Sequence, residues 1–331
     1  MIKILKSNRP FVIFLIIISA IALWIGNFLN PAVDLFSFDK DPVLFYQLIT
    51  QFFPYNSFGS VFITLLLLLA QAFLLVQFNR KYILINYRTF LPAFFYVLIA
   101  GSFVPLQRIN PVITGTLFMF IATNFIYDIY RRDYTLNRLY MAGLFISVAS
   151  MFWPLFAVFF MVVWIALIIL RPFVGREWIV SLFGFLTPYL FVFTYYYVFL
   201  DSIKLEALAE SFLSHFSILR TFASVHYAYY IFYALLFVLI IFASFIVIAN
   251  FHKKKIRNRK YFQINWWIFL IGVLIFIFFE NVSYEIIYFI AIPVSFLLTE
   301  YFYFVGKNWF LNILLLLIVS SIVYIQIIAH F

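Results

Sequence analysis

The chain has 331 residues, of which 67% are hydrophobic and only 10% are charged, and its formal net charge is +10. A soluble domain has roughly 25% charged residues, so these few charges cannot cover a water-facing surface, and the surroundings must be largely lipid. The sequence contains no Cys, which excludes disulfides and thiolate metal sites, and its four His lack the spacing of a zinc site. The composition therefore predicts an all-α, polytopic integral membrane protein.

Eleven apolar runs approach the length of about 17–25 residues that a membrane-spanning helix needs. In chain order they are residues 10–30, 59–78, 90–106, 111–127, 139–153, 154–170, 179–200, 228–250, 264–280, 284–304 and 309–329. The fifth and sixth runs are short and meet at Trp153-Pro154, so they form either a tight hairpin or a pair that does not fully cross. Because no Gly/Ser linker or Pro-rich tract separates the runs, residues 1–331 are expected to form a single transmembrane domain.

The basic residues indicate how this chain is oriented. If the N-terminus is cytoplasmic and the chain alternates, 18 of the 22 Lys and Arg lie on the cytoplasmic side, as the positive-inside rule requires. An odd number of runs then places the C-terminus in the periplasm. The positive charge is thus explained by a bacterial inner membrane, with lipids as partners and no nucleic acid. The run HKKKIRNRK at 252–260 is interpreted as a topology anchor on anionic lipid.

Two outer segments, residues 31–58 and 201–227, are long enough to hold structure. In the second, apolar residues recur at spacings of three and four, which predicts an amphipathic helix over 204–219 lying on the membrane surface; these residues are Leu205, Leu208, Phe212, Phe216 and Leu219. Residues 42–53 show a weaker form of the pattern and follow Asp41-Pro42, which can cap and start a helix. We expect both segments to be helical.

The acidic residues are concentrated on the outer side, where Asp34, Asp39 and Asp41 follow the first run directly. Carboxylates in such a position can act as a general base or hold a divalent metal. The alternative is a solvated loop that contains one helix cap. Glu280 and Glu285 end and follow an apolar span at the same side, where they can simply reach water, although an ion or proton role stays open.

Arg108 and Arg220 are the two arginines of the outer segments, and His215 lies in the predicted amphipathic helix. An arginine can hold a phosphate through two hydrogen bonds, so these residues are candidates for substrate binding. The alternative for Arg108 is a turn residue at the interface. For Arg220 and His215 it is the water-exposed face of the amphipathic helix.

The order of a first span, an acidic outer loop, a surface helix and a second span resembles the glycosyltransferases of the GT-C fold. The passage YMAGLFISVASMFWPLFAVFFMVVWIALIILRPF (140–173) adds to this likeness, which covers residues 1–200 in layout. The resemblance implies a donor sugar linked to polyprenyl phosphate and catalytic acids at Asp39 and Asp41, with Asp34 nearby. The chain also resembles an uncharacterised family of bacterial inner-membrane proteins through LRPFVGREW, Leu170–Trp178.

Three function classes therefore remain open. The first is a glycosyltransferase acting on the outer face, for which we expect Asp39 and Asp41 to line the main polar cavity. The second is a noncatalytic membrane subunit or scaffold of a cell-envelope complex, with other envelope proteins as partners. The third is a transporter, which is disfavoured because the two halves show no matching Gly/Pro-broken helices.

On the inner side, charge pairing is expected to account for the acidic residues without any site. Asp128 and Asp133 are expected to pair with neighbouring arginines, which are Arg131, Arg132 and Arg138. The segment RPFVGREW (171–178) joins Arg171, Arg176 and Glu177 in a short loop, which predicts either an ordered turn with a salt bridge or a patch that binds a partner.

Overall fold

The computed structural model describes residues 5–6, 9–31, 36–40, 43–54, 57–199, 202–218, 226–280, 282, 284–306 and 308–330. Within these residues the chain is predominantly helical, and the β-structure in the same ranges is one isolated bridge between Ile218 and Phe279. The prediction of an all-α protein is confirmed.

The described helices follow one another with short connections. They are α1 (Pro10–Leu29), α2 (Ser37–Lys40), α3 (Leu44–Phe52), α4 (Phe58–Tyr82), α5 (Leu91–Ala100), α6 (Pro111–Tyr127), α7 (Leu136–Ser150), α8 (Phe160–Leu170), α9 (Gly175–Phe199), α10 (Ser202–Ser214), α11 (Tyr227–Ala249), α12 (Ile256–Phe278), α13 (Ile287–Phe304) and α14 (Asn308–His330). Short 3₁₀ turns precede α8 at Pro154–Phe159 and α13 at Tyr284–Ile286.

Seven of these helices in the described part are long and apolar enough to cross a membrane, namely α1, α4, α9, α11, α12, α13 with its preceding turn, and α14. The other four predicted runs also contain helices, but α5, α6, α7 and the Pro154–Leu170 segment are shorter. At 1.5 Å per residue, the ten residues of α5 cover about 15 Å, roughly half of a hydrocarbon core of about 30 Å. The structure thus supports a multi-pass membrane protein and leaves the count of eleven spans unconfirmed.

Local sequence explains where several helices begin. The Ser57 side chain accepts a hydrogen bond from the Ser60 N–H at the start of α4, and Asn110 does the same for Ile113 at the start of α6. Pro111 follows Asn110 at the first position of α6, where its missing N–H costs nothing and its fixed φ favours the helix. These caps fix the points at which the chain enters the helix bundle.

Contacts between distant segments define two ends of the bundle. One end, called the Asp39 end, brings together α3, the segment 101–110 and the α7–α8 connection, where the Phe45 N–H donates to the Met151 carbonyl at 3.2 Å. At the opposite end, called the Lys81 end, Lys81 approaches Asp128 at 3.1 Å and Lys254 approaches Glu300 at 2.8 Å. The core between them is apolar and aromatic.

Both segments predicted to lie on the membrane surface contain helices, α3 and α10. The predicted helix over 204–219 ends earlier, at Ser214, because Ser217 and Ile218 turn towards the end of α12. There the Glu280 N–H donates to the Ser217 carbonyl at 3.0 Å, and Ile218 forms the bridge to Phe279. Leu219 lies outside the described residues.

Candidate functional site

A buried ion pair between Asp39 and Arg108 lies at the Asp39 end. Only 6% of the Asp39 side chain and 1% of the Arg108 side chain are exposed. The Arg108 Nη1 donates to Asp39 Oδ1 at 3.2 Å, and Nη2 donates to Oδ2, so the guanidinium engages both carboxylate oxygens. Such a two-point pair is short and directional, which makes it stronger than a neutral hydrogen bond. The alternative interpretation of Asp39 as a solvated loop acid is therefore wrong, and Arg108 lies in a bend between two helices where its side chain is buried.

Two further donors complete the surroundings of the Asp39 carboxylate. The Tyr46 hydroxyl, from α3, donates to Oδ1 at 3.2 Å, and the Phe36 N–H donates to Oδ2 at 3.0 Å. The rings of Phe36 and Phe38 lie 5.5 Å and 5.7 Å from the Arg108 guanidinium carbon, within the range of cation–π attraction. Each carboxylate oxygen thus accepts two hydrogen bonds, and the cation is flanked by aromatic rings.

Arg108 is held in place by a buried segment between α5 and α6, residues 101–110, which is irregular except for a 3₁₀ turn at Val104–Leu106. The Asn27 amide of α1 donates to the Val104 carbonyl at 2.7 Å, and the Tyr288 hydroxyl of α13 donates to the Leu106 carbonyl at 2.8 Å. The Ile109 N–H donates to the Ser60 hydroxyl of α4 at 2.8 Å. Non-helical backbone can lie at membrane depth only where protein groups satisfy it, and three helices supply those groups here.

Glu285 belongs to the same region, although the sequence suggested a boundary residue in contact with water. It lies in the turn before α13 and is fully buried. Burial raises the pKa of the Tyr46 hydroxyl, the negative charge of Asp39 raises it further, and Glu285 adds a smaller contribution. Tyr46 therefore stays protonated and remains a hydrogen-bond donor. The expectation that Glu285 reaches water is wrong.

Sequence reasoning missed Tyr46 as a site residue. It lies on the face of α3 opposite to the apolar positions that suggested the helix, and it is 1% exposed. The sequence feature that could have identified Tyr46 is its hydroxyl group on the polar face of the predicted helix, seven positions after Asp39.

The remaining predicted site residues are not brought into this cluster by the described structure. Asp34, Asp41 and Arg220 lie outside the described residues. His215 is 4% exposed rather than on a water-exposed face, and its Nδ1 lies 2.8 Å from the Ser211 carbonyl oxygen, one turn earlier in the chain. Within the described residues, no group of three or more His, Asp or Glu could hold a metal ion.

The Lys81 end holds the other ion pairs in the described part of the chain. Asp128 pairs with Lys81 rather than with the expected neighbouring arginines, and it also accepts a hydrogen bond from Tyr82 at 2.9 Å. Arg171 and Glu177 approach to 3.2 Å, so the predicted salt bridge in RPFVGREW is confirmed.

Lys254 is buried rather than spread on the lipid surface. It is 2% exposed, and its Nζ lies 3.6 Å from the centre of the Phe262 ring. Burial lowers the pKa of Lys254, and the negative charge of Glu300 opposes that shift. This lysine therefore has a structural partner in addition to its place in the basic run 252–260.

Five cavities within the described residues are mainly apolar, and Asp39 lines none of these five. The cavity enclosed by α11, α12 and α13 has a volume of about 330 Å³. A smaller one of about 160 Å³ at the Lys81 end includes Lys81 and Asn124 in its lining. These cavities give no support to the expectation that Asp39 lines a polar cavity.

A family model described as a family of unknown function, DUF6427, matches residues 36–331. The chain belongs to the DUF6427 family. No curated protein and no solved structure matches it. The DUF6427 match begins at Phe36 and so includes Asp39, Tyr46, Arg108 and Glu285. Because the family carries no assigned activity, the function has to be argued from the chemistry of these residues.

Proposed function

We propose that this DUF6427 protein is a noncatalytic multi-pass protein of the bacterial inner membrane, a subunit or scaffold of a cell-envelope complex. The observation that carries the proposal is the complete engagement of the Asp39 carboxylate by Arg108, Tyr46 and the Phe36 N–H. A general base must come within hydrogen-bond distance of the proton that it removes. Both oxygens of the Asp39 carboxylate already accept hydrogen bonds from donors of the protein itself. Asp39 is therefore suited to holding the fold together.

The proposal includes eleven crossings, with a cytoplasmic N-terminus and a periplasmic C-terminus. It is supported by contacts between residues that alternation assigns to the same side. Tyr303 donates to the Lys6 carbonyl at 2.8 Å on the cytoplasmic side, and the hydroxyls of Tyr227 and Tyr324 lie 2.7 Å apart on the periplasmic side. The short α5 crosses together with the buried segment 101–110, which supplies the remaining depth.

The surface offered to a protein partner is α9. Of the seven long helices in the described part it is the least buried. In its most apolar 18-residue stretch 11% of the residues are buried, compared with 28–83% in the other six helices. Its exposed side includes Phe191 at 74% and Tyr197 at 68% exposure. Large aromatic residues are enriched where proteins meet, so a second envelope protein packed on α9 would cover the part of the bundle that packs least against itself.

A glycosyltransferase of the GT-C type is the second candidate. The observation in its favour is that Asp39 and Arg108, 69 positions apart in the sequence, lie in direct contact. In an enzyme, the phosphate of a polyprenyl-linked donor would compete for Arg108 and release the Asp39 carboxylate. This candidate needs the ion pair to open during each reaction cycle.

Complementation of a deletion strain separates the two candidates. The variants are Asp39→Asn, Arg108→Met and the double variant, each compared with wild type at equal amounts of protein in the membrane. The noncatalytic proposal expects the double variant, which removes both charges of the pair, to restore envelope integrity, measured as growth in the presence of detergent. Loss of a general base costs about 10²–10⁴-fold in rate. A double variant that inserts normally and fails to complement would therefore favour the enzyme.

A further inference from the structure

An elongated apolar cavity lies between α11, α12 and α13, away from the ion pair. Its volume is about 330 Å³, and every lining residue is aliphatic or aromatic. It opens sideways between α11 and its neighbours, where Tyr230 is 51% exposed and Phe237 is 62% exposed. The three helices are among those able to span a membrane, so the opening faces lipid.

The two ends of the cavity differ in the residues that line them, although nearly all of the surface that lines the cavity is apolar. Tyr230, Tyr233 and Tyr284 line the part that lies at the Asp39 end, whereas Ile240 and Val294 line the deep part. Tyrosine is enriched at the level of lipid headgroups, because its ring is apolar and its hydroxyl is polar. The order of residues from the surface inwards therefore matches the order of groups in a lipid molecule.

The length of the cavity corresponds to one leaflet of a bilayer. Tyr230 and Ile240 are ten residues apart on α11, which corresponds to about 15 Å along the helix. Half of a hydrocarbon core of about 30 Å is the same length. A chain that enters from the leaflet at the Asp39 end would reach the membrane midplane at the deep part of the cavity.

The width of the cavity decides between a hydrocarbon chain and a protein helix. A volume of about 330 Å³ is the space open to the centres of water-sized atoms, so over about 15 Å it corresponds to a width of about 5 Å for those centres and about 8 Å between the lining atoms. A helix with side chains is about 10–12 Å across, which is wider than this channel. Carbon atoms pack at about 3.5–4.0 Å, so one extended hydrocarbon chain fits and a helix does not.

We propose that this cavity binds one acyl chain of a membrane phospholipid from the leaflet at the Asp39 end, with the headgroup beside the tyrosines. The site is independent of the ion pair and of the noncatalytic role proposed above. A bound chain fills space that water would not enter, because apolar cavities of this size stay dry. It also joins α11, α12 and α13 into one packed unit.

The test uses the full-length protein in nanodiscs that contain phosphatidylethanolamine with a diazirine in the middle of one acyl chain. After illumination, mass spectrometry of peptides locates the attached lipid. We expect attachment at lining residues such as Phe269 and Val273, and much less at Ile241, which is 52% exposed on α11 but does not line the cavity. Equal labelling of Ile241 and the lining residues would overturn the proposal.

Two neighbouring substitutions provide a matched comparison. Val273→Trp fills the cavity, and we expect it to lower labelling of the remaining lining residues about tenfold, a difference of about 1.4 kcal/mol in binding. Leu274→Trp, at a residue that is 42% exposed and outside the lining, should leave labelling unchanged. Equal labelling in both variants would overturn the proposal.

Two further measurements test whether a loss of labelling comes from misfolding and whether a different lipid occupies the cavity. Val273→Ala enlarges the cavity without adding bulk and should retain full labelling, so loss of labelling in this variant would contradict the proposal. Displacement of the probe by an equal amount of polyprenyl phosphate, but not by unlabelled phosphatidylethanolamine, would show that the occupant is an isoprenoid chain and would also overturn it.

Discussion

The Asp39 carboxylate shows how a single residue can be recognised in the sequence and still have another role in the structure. Its position after the first span and its acidic character singled it out. Its partner Arg108 was selected separately, as a ligand for phosphate, because nothing in the local sequence links positions 69 residues apart. The structure joins them into a buried pair. Replacing one member of such a pair leaves an uncompensated charge, which typically costs about 3–5 kcal/mol.

Tyr46→Phe should destabilise the protein by about 1.5–3 kcal/mol, because it removes a hydrogen bond to a charged carboxylate. Burial and Asp39 raise the pKa of Tyr46 above its ordinary value of about 10. A raised pKa means that this contribution is complete below about pH 10 and is lost only as the pH rises further. Thermal unfolding in detergent should give the same difference between wild type and variant from about pH 6 to pH 9. A difference that shrinks over this range would show that Tyr46 ionises there.

The Lys254–Glu300 pair gives a parallel prediction at the Lys81 end. Glu300→Gln should destabilise the protein by about 3–5 kcal/mol, because it leaves a buried lysine without its counter-charge. The double variant Lys254→Met with Glu300→Gln should be more stable than Glu300→Gln alone. Lys253→Met is the control, because Lys253 is exposed and its Nζ donates to the Asn250 side-chain oxygen rather than to a charged partner. Equal unfolding temperatures for Glu300→Gln and Lys253→Met would contradict this account.

At the scale of elements, α9 packs closely against α7 through two glycines. A Cβ added to Gly184 would clash with the Tyr140 carbonyl, and one added to Gly143 would clash with the backbone of Ser181. Beside this contact, Tyr140 donates to the Thr187 hydroxyl at 3.0 Å. Small residues let membrane helices approach closely enough for such hydrogen bonds. The seam formed by these residues attaches α9 to the bundle.

Gly184→Val should loosen α9, at a cost of about 1–3 kcal/mol or more, because the backbone of α7 cannot move away easily. Gly175→Ala is the matched control, since an added Cβ at Gly175 meets no atom within 4 Å. Limited proteolysis of the α8–α9 connection should be faster in Gly184→Val than in the control. Identical cleavage rates would contradict the importance of the seam.

The positions of the helices could be predicted from the sequence where the hydrophobicity of a segment alone determines them. Each of the eleven predicted runs contains a helix, and Pro111 correctly marks the start of α6. The run 90–106 does not form one continuous α-helix, because α5 ends at Ala100 and a 3₁₀ turn follows at Val104–Leu106. Most of residues 101–106 are apolar and buried although they lie outside any α-helix. Hydropathy measures burial in lipid or protein and cannot distinguish the two.

At the scale of the whole molecule, the distribution of charged residues along the sequence predicts which segments lie at the same end of the bundle. The ion pairs in the described ranges each join residues that alternation assigns to one side, including Lys81 with Asp128 and Arg171 with Glu177. Local sequence could indicate sides because charges avoid the hydrocarbon core. It could not indicate the cavity between α11, α12 and α13, since that depends on the packing of three helices whose lipid-facing and cavity-facing residues are equally apolar.

The central claim, that Asp39 and Arg108 form a structural pair, is tested most directly by a double-mutant cycle on the free energy of unfolding. The four proteins are wild type, Asp39→Asn, Arg108→Met and the double variant, measured in the same detergent. We predict that each single variant loses about 3–5 kcal/mol and that the double variant is more stable than their sum by at least about 2 kcal/mol. Single variants as stable as wild type, with a coupling energy near zero, would contradict the claim and leave Asp39 available for chemistry.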